Sequence, residues 1–545
     1  MSLDHHRVTP SPASTTAPTG PLVEFESAGR LLVLGTGPRA TAAAARLAER
    51  LDCCLLIAGP TEVPAGVEGY RRPPAKLNIG GHLGAFTARF EGDLESPDLG
   101  ALAFPERPGF DLVLDLDEEP ALDLEWGPPG YFRPRDDAEL EATLAELPRL
   151  TGRLTKPRFF ELDSSICAHG LPGTEGCRRC IDTCPVGAID SVAGRIEVDP
   201  NLCQGAGPCS ATCPTGALSY RSPSRTDTLA ELTQLLAAPE PEGSEPGPLL
   251  VLHEPASRGG VPGQPELGSL ALEVPAIGSL GLETWLSALA LGAGAVRLAA
   301  PRDLAPRIAA TLDEQLVYAR AILTGMGLSP DLVAWLEPES GQELGAEPTE
   351  AQDSVEPDTT GARLHRVADV ELSARSKRGI LYAALDVLAE AAANAGASTT
   401  PAAPFVVPSG APFGTLNVKP EACTTCLACA FVCPTKALTG GGTVPSLNFV
   451  EAACVQCGLC VAACPEEAIA REPRLLLHPT ERVTSRVLHK DEPFPCIVCG
   501  TPFASAGTVR AVIAKLADHP MFAESGTDIL QTCDPCRLAP GALER

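Results

Sequence analysis

The apolar positions open on "LLVL" at 31–34, which ends in the turn "GTGP", passes through an alanine-rich stretch from about 40 to 50, and resumes in "CCLLIAGP". Short continuous apolar runs bounded by Gly and Pro read as strands buried on both faces, and the alanine-rich stretch between them as a helix. A β-α-β beginning is the prediction. The alternation returns from 249 to 337, as "LLVLH", "LALEV", a helix around Leu282 to Leu291, "AVRLAA", a helix around Leu304 to Met326, and "LVAWL". Both blocks read as small α/β domains.

Two stretches break the pattern: "APEPEGSEPGP" from 238 and "EPESGQELGAEPTEAQDSVEPDTTG" from 337. Rich in Pro, Gly and Glu, they bury nothing and read as linkers. The longest apolar run, near Leu286 to Val296, is broken by Arg297 and is too short to span a membrane. The N-terminal segment has neither the apolar core of a signal peptide nor a twin-arginine pair, so a soluble, cytoplasmic chain without membrane insertion is expected. At 545 residues several domains are required. The expected boundaries are a disordered tail at 1–27, a Rossmann-like α/β domain at 28–153, a cysteine-rich module at 154–225, a linker at 226–247, a second α/β domain at 248–338, a linker at 339–362, a helical connector at 363–414, a second cysteine-rich module at 415–475 and a C-terminal module at 490–540.

A formal net charge of -27 with no basic cluster argues against nucleic acid as a partner. Twenty-one cysteines in a cytoplasmic chain cannot be a disulfide framework, because that compartment keeps thiols reduced; metal ligation is the remaining reading. The pattern C-P-x-x-A-[IL] occurs as "CPVGAI" at 184, "CPTGAL" at 213, "CPTKAL" at 433 and "CPEEAI" at 464, each closing a cysteine-rich run. The runs come in two pairs, which predicts two two-cluster modules.

Cys423, Cys426, Cys429 and Cys433, then Cys454, Cys457, Cys460 and Cys464, repeat one spacing twice, with proline after each fourth cysteine. The double run resembles the two-cluster bacterial 4Fe-4S ferredoxins. That resemblance implies Cys423, Cys426, Cys429 and Cys464 on one 4Fe-4S cluster, and Cys433, Cys454, Cys457 and Cys460 on its neighbour. The earlier pair departs from the pattern twice. Nine residues, "AHGLPGTEG", separate Cys167 from Cys177, and are expected to bulge outward as a Gly-rich loop; His169 within it is a rival ligand or an exposed loop residue. The crossing scheme then implies a 4Fe-4S cluster on Cys167, Cys177, Cys180 and Cys213. At the second site "CQGAGPC" has Ala206 where a cysteine is expected, leaving Cys184, Cys203 and Cys209. Three thiolates suit a 3Fe-4S cluster, or a 4Fe-4S cube whose fourth iron is open to water or an exogenous ligand; the competing account is a lost cluster whose cysteines merely pack.

"CIVCG" at 496 and "CDPC" at 533 pair as two C-x-x-C knuckles, so Cys496, Cys499, Cys533 and Cys536 are expected to hold structural zinc rather than rubredoxin-type iron. Cys53 and Cys54 have no partners at ligand spacing and read as core. "GTGPRA", with Gly35 and Gly37, is a weak dinucleotide signature; no acidic residue ends the following strand, so a plain strand-to-helix turn is preferred, and flavin or NAD is not expected.

With these residues placed, the chain resembles proteobacterial multi-cluster 4Fe-4S binding proteins related to the flavin-bearing subunit of heterodisulfide reductase. "GGHLGAFTARFEG" at 80, "CAHGLPGTEGCRRCIDTCPVGAI" and "CPTGALSY" carry that resemblance, and the block from 249 to 337 is more distantly similar to the small iron-sulfur subunit of methanogen hydrogenases, without its cysteines. The resemblance implies a redox-enzyme partner, formate dehydrogenase being the frequent associate of that family. The fold class expected is multidomain α/β plus α+β: two ferredoxin modules, two small α/β domains and a zinc-ribbon-like tail. Without a P-loop or a substrate-site signature, an electron-transfer protein or redox-complex subunit is favoured over a stand-alone enzyme. The alternatives are an accessory or assembly factor for a molybdenum enzyme, and an oxidoreductase component that depends on flavin or on the open iron. Arg178 and Arg179 beside Cys177, against Glu466 and Glu467 after Cys464, predict a higher potential for the Cys177 cluster.

Overall fold

The run at 31–34 is buried on both faces, Leu31 and Val33 in one hydrophobic core and Leu32 and Leu34 in another. A computed structural model describes residues 11–12, 21–35, 37–57, 62–72, 76–91, 98–171, 173–237, 247–255, 269–301, 303–336, 376–394, 403–442, 444–523 and 526–538. Strand Arg30–Leu34 is the centre of a five-stranded parallel sheet. Asp52–Ile57 and then Glu68–Arg71 lie on one side, Leu112–Asp115 and then Tyr131–Phe132 on the other. Fully buried Asp111 fastens the start of the central strand by pairing with Arg30 at 2.5 Å and accepting from the Ala28 and Arg30 amides. Cys53 and Cys54 sit in the second strand, and burial pushes both thiols up to about 12.

The expected tail at 1–27 is corrected at its end. Leu22–Ser27 is a strand paired antiparallel with Gly152–Pro157, and it buries Val23 and Phe25. In "LVEFES" the inward positions alternate with Glu24 and Glu26, a period-2 signal short enough to pass for tail. Its partner strand runs through the expected boundary at 154.

Leu249–His253, Ser269–Glu273, Ala295–Leu298 and Val333–Trp335 form a second, four-stranded parallel sheet, ordered Ser269, Leu249, Ala295, Val333. Two segments expected to be connections belong to its core. Residues 226–236 of the linker expected at 226–247 are helical: Arg225–Leu236 starts on a Ser224–Asp227 capping box and buries Leu229, Leu232 and Leu236. Residues 238–246, and the linker expected at 339–362, lie outside the described residues. The connector expected at 363–414 contains the helix Lys377–Asn394, whose Ile380, Leu381, Ala384, Leu385 and Leu388 pack into the same core as Trp285 of helix Leu282–Ala290. A stripe at i, i+3, i+4 spacing has to be covered, and here it forms the middle of a core.

Residues 160–220 and 414–475 share one plan. In each, the first and last strands pair antiparallel, Phe160–Leu162 with Leu218–Tyr220 and Gly414–Val418 with Ile469–Leu475. A central hairpin lies between them, Ile189–Val192 with Arg195–Val198 and Leu438–Gly440 with Ser446–Phe449. Arg486–Lys490 joins the second hairpin, so that segment extends past 475. Beyond it are a small hairpin, Pro493–Pro495 with Pro502–Ser505, and the helix Ala506–Leu516. Among the described residues no helix is long and apolar enough to cross a membrane.

Candidate metal centres

Sixteen residues drive the chemistry, fifteen cysteines and one alanine, and the fold sorts them into four cavities. Cys423, Cys426, Cys429 and Cys464 line one of about 340 Å³. Cys433, Cys454, Cys457 and Cys460 line another of about 350 Å³. Cys167, Cys177, Cys180 and Cys213 line a third of about 360 Å³, and Cys184, Cys203, Cys209 and Ala206 a fourth of about 380 Å³. The exchange of the proline-linked cysteine between paired runs has a simple local cause. Short helices, such as Arg179–Asp182 and Leu459–Ala462, carry the chain through about one turn between the third and fourth cysteines, so the fourth emerges on the neighbouring cavity.

The backbone of these loops is unusual in the same way at three of the four runs. Two and four residues after the first cysteine, φ is positive: Thr425 (56°) and Leu427 (62°), Gln456 (57°) and Gly458 (89°), Gly205 (75°) and Gly207 (87°). Three residues after each Cys-Pro cysteine it is positive again, at Gly187, Gly216, Lys436 and Glu467. Left-handed backbone costs a non-glycine residue about 1–2 kcal/mol, and here it turns successive amides toward one centre. Backbone N–H groups reach the sulfurs as well: Ala188 donates to Cys184 Sγ (3.3 Å), Leu218 to Cys213 Sγ (3.4 Å) and Ala468 to Cys464 Sγ (3.3 Å). Amide donors stabilise thiolate charge.

The donor sets and cavities fit iron-sulfur clusters. Soft thiolates converge on a space with apolar walls, and buried polar atoms without partners among the described residues belong to side chains at three of the cavities: Arg179 Nη1, Thr425 Oγ1 and Gln204 Oε1. Without metal, burial pushes Cys203 and Cys457 up to about 11 and Cys429 up to about 12. Binding as thiolates therefore expels a proton from each sulfur.

Comparison with known proteins points the same way. The 4Fe-4S dicluster domain family matches residues 415–469. Protein NrfC of Escherichia coli strain K12, and its counterparts in Escherichia coli O157:H7 and Shigella flexneri, are each 38% identical to this chain over 61 residues. That stretch is 11% of this chain and 24% of the relatives, so the chain spans about a quarter of their length. The similarity marks residues 415–469 as an iron-sulfur segment of ferredoxin type. Clusters of that family exchange single electrons.

The earlier segment departs from expectation at its insertion. Instead of bulging free, the insertion pairs as two short strands, Gly170–Leu171 against Thr174–Glu175. His169 is buried rather than exposed. Its Nδ1–H donates to the Cys177 carbonyl at 2.9 Å, and its Nε2 accepts from the Ser191 hydroxyl at 2.7 Å. Both ring nitrogens are thereby used in holding the loop, which leaves none for a metal.

At the fourth cavity the methyl of Ala206 stands where the other runs have a sulfur, yet the loop keeps both left-handed residues and the cavity is no smaller than its counterparts. That is the arrangement the three-thiolate reading requires. Ala206→Cys is accordingly expected to raise the iron of this site to a full cube and to replace a 3Fe-4S electron paramagnetic resonance signal by a 4Fe-4S one. Unchanged spectra and iron content would count against a cluster here.

Cys496, Cys499, Cys533 and Cys536 place their sulfurs within 4.8 Å of one another, with Cys499 Sγ 3.7 Å from Cys533 Sγ. A tetrahedron of Zn–S bonds near 2.3 Å separates its sulfurs by about 3.8 Å. Burial opposes it, but N–H groups of Cys533, Cys499 and Val498 bring the Cys496 thiol down to about 6. Among the described residues from 491 to 538 the buried apolar side chains are Cys496, Ala506, Val509 and Cys533, too few for a core. Chelating the metal should therefore unfold this tail while iron absorbance persists, and acidification should do the same as protons displace it from the thiolates. Retained tail helicity in metal-free protein, read by hydrogen exchange of 506–516, would contradict this.

Gly35 and Gly37 form the turn before helix Pro38–Leu47, where Gly37 (φ 93°) is the N-cap and Pro38 takes the first helical position. Proline there removes one N–H from the end that would face an anion.

Apart from Arg178 and Arg179, the cations around the cysteines come from distant parts of the sequence. Lys156 donates to the Cys203 carbonyl (2.8 Å), Arg307 to that of Cys184 (2.9 Å) and Arg378 to that of Cys454 (2.7 Å). Lys377 donates to Ser210 O (2.7 Å) and Ala211 O (2.6 Å), between Cys209 and Cys213. One signal was available for Lys377, a lysine on the apolar stripe of its own helix with Ile380, Leu381 and Ala384.

Proposed function

We propose that the chain is a multi-cluster electron relay. In this reading Cys167, Cys177, Cys180 and Cys213 hold one 4Fe-4S cluster, Cys423, Cys426, Cys429 and Cys464 a second, and Cys433, Cys454, Cys457 and Cys460 a third. Cys184, Cys203 and Cys209 hold a 3Fe-4S or open 4Fe-4S centre, and the C-terminal knuckles hold zinc. The carrying observation is the sorting of fifteen cysteines into four cavities of matching size. The chain's own residues supply ligands, aim amides at the sulfurs and exclude water; bound clusters would supply one-electron chemistry. The relation to heterodisulfide reductase and a redox partner such as formate dehydrogenase, in the cytoplasm, belong to the same proposal and rest on the sequence resemblance.

Anaerobic purification with iron, sulfide and zinc analysis tests it. The expected result is three cubes plus three or four further irons, about 15 or 16 irons per chain, with one zinc. Iron for two cubes only would confine the relay to residues 415–475.

A further inference from the structure

The two cysteine-rich segments meet at their clusters' edges. Gly176, next to Cys177, lies so close to Leu459 that a Cβ added there would stand 2.7 Å from Leu459 Cγ and 2.6 Å from the Ala168 carbonyl oxygen. Leu459 itself lines the Cys454 cavity between Cys457 and Cys460, and Cys177 lines the cavity with Arg179. Behind this junction, consecutive residues of one helix hold both segments: Lys377 binds the 210–211 carbonyls and Arg378 those of Ala452 and Cys454. Within each segment, the proline-linked cysteines already join the paired cavities.

Positive charge is distributed unevenly along this line. Lys156 and Arg307 reach the backbone of the three-thiolate site, Arg179 and Lys377 stand at the Cys177 site, and Arg378 and Arg471 at the Cys454 site. Among the described residues, neither lysine nor arginine lines the Cys423 cavity. Its one lining charge is Glu466, paired at the surface with Lys515. Cys426 there is exposed, whereas each other cysteine of the four cavities is buried or half-buried. At the opposite end, loop 277–280 closes over the three-thiolate site. A Cβ on Gly278 would fall 2.5 Å from the Ala206 carbonyl oxygen, and one on Gly207 2.6 Å from Ser279.

We infer that the Gly176–Leu459 contact and the Lys377–Arg378 pair join the four thiolate sites into one ordered path, Cys423 to Cys454 to Cys177 to Cys203, with the Cys423 end the exposed, lowest-potential entrance. The inference rests on the relay reading above. Nearby cations stabilise the more negative reduced state, so the three sites with two cations each should lie above the Cys423 site, which has none. One electron enters from a low-potential one-electron donor of the iron-sulfur or flavin class, which is oxidised. The same electron leaves to a one-electron acceptor of the iron-sulfur or flavin class beside the covered end, which is reduced, with no bond made or broken.

The test is a dithionite titration of the full chain followed by electron paramagnetic resonance, after iron and sulfide analysis. The Cys423 signal, identified as the one lost in Cys464→Ser, should be the last to appear. Arg378→Gln should lower the midpoint of the Cys454 centre and leave that of Cys423 in place. Gly176→Val, with iron retained, should narrow the spin-coupled spectrum of the fully reduced protein by parting the two segments. A Cys423 signal that appears first, an Arg378→Gln protein with an unmoved Cys454 midpoint, or an unchanged Gly176→Val spectrum would each overturn the ordered path while leaving the relay standing. An iron count short of the four sites would cut the relay back to the sites that are loaded, and would overturn this path with it.

Discussion

Cys464→Ser should strip or degrade the cluster site of Cys423, Cys426 and Cys429, some forty residues away, and spare that of Cys454, Cys457 and Cys460, a few residues away. Cys464 lines the Cys423 cavity and takes a hydrogen bond from the Ala468 amide, so its sulfur is committed to the distant site. Serine offers a harder, more basic oxygen in place of a soft thiolate. The expected loss is one centre, up to four irons, with one paramagnetic signal removed. Iron analysis with low-temperature resonance reads it out. Loss of the Cys454 signal with the Cys423 signal intact would reverse the ligand assignment.

The largest effect on stability is expected from Lys377→Met. The Lys377 ammonium has 7% of its side chain exposed and lies 3.4 Å from Glu283, whose own side chain is 3% exposed. Burial draws the lysine's pKa down, while Glu283 opposes the shift. Arg225 completes the group at 3.2 Å from the same carboxylate oxygen. Removing the lysine leaves two carbonyls, Ser210 O and Ala211 O, without their donor and Glu283 with only Arg225. Breaking a buried pair of this kind costs about 3–5 kcal/mol. Chemical denaturation of the loaded protein, followed through the fully buried Trp285, measures the loss. Lys377→Met with Glu283→Gln should recover part of it, since the uncompensated charge is then gone. A single variant within about 1 kcal/mol of the parent would mean that water reaches this group.

Lysine on an apolar stripe illustrates how the two levels of description divide. The stripe from Ile380 to Ala392 was legible as a helix, but as a connector, because nothing near it in sequence needs covering. Its partner is helix Leu282–Ala290, about ninety residues upstream, and that contact exists only in the folded core. His169 shows the same separation. A histidine among glycines reads as exposed, and it becomes a buried brace only when Ser191 and the Cys177 carbonyl close around it.

The grouping of the cysteines around four cavities was legible in the sequence alone, because a cysteine-rich loop is a local object. Its sulfurs are spaced by two residues, its turns are set by the backbone of about seven residues, and the proline after the last cysteine ends the run wherever it occurs. The two parallel sheets were legible for a related reason: continuous apolar runs between glycine turns bury on both faces whatever covers them. Tertiary structure decided what surrounds those loops. The insertion packed against Leu459, the strand at Leu22–Ser27, the cations at the cluster carbonyls and the covered site at Ala206 all depend on residues tens to hundreds of positions apart. Charge and burial act through space, with effects set by distance and dielectric surroundings, and neither is a property of neighbours along the chain.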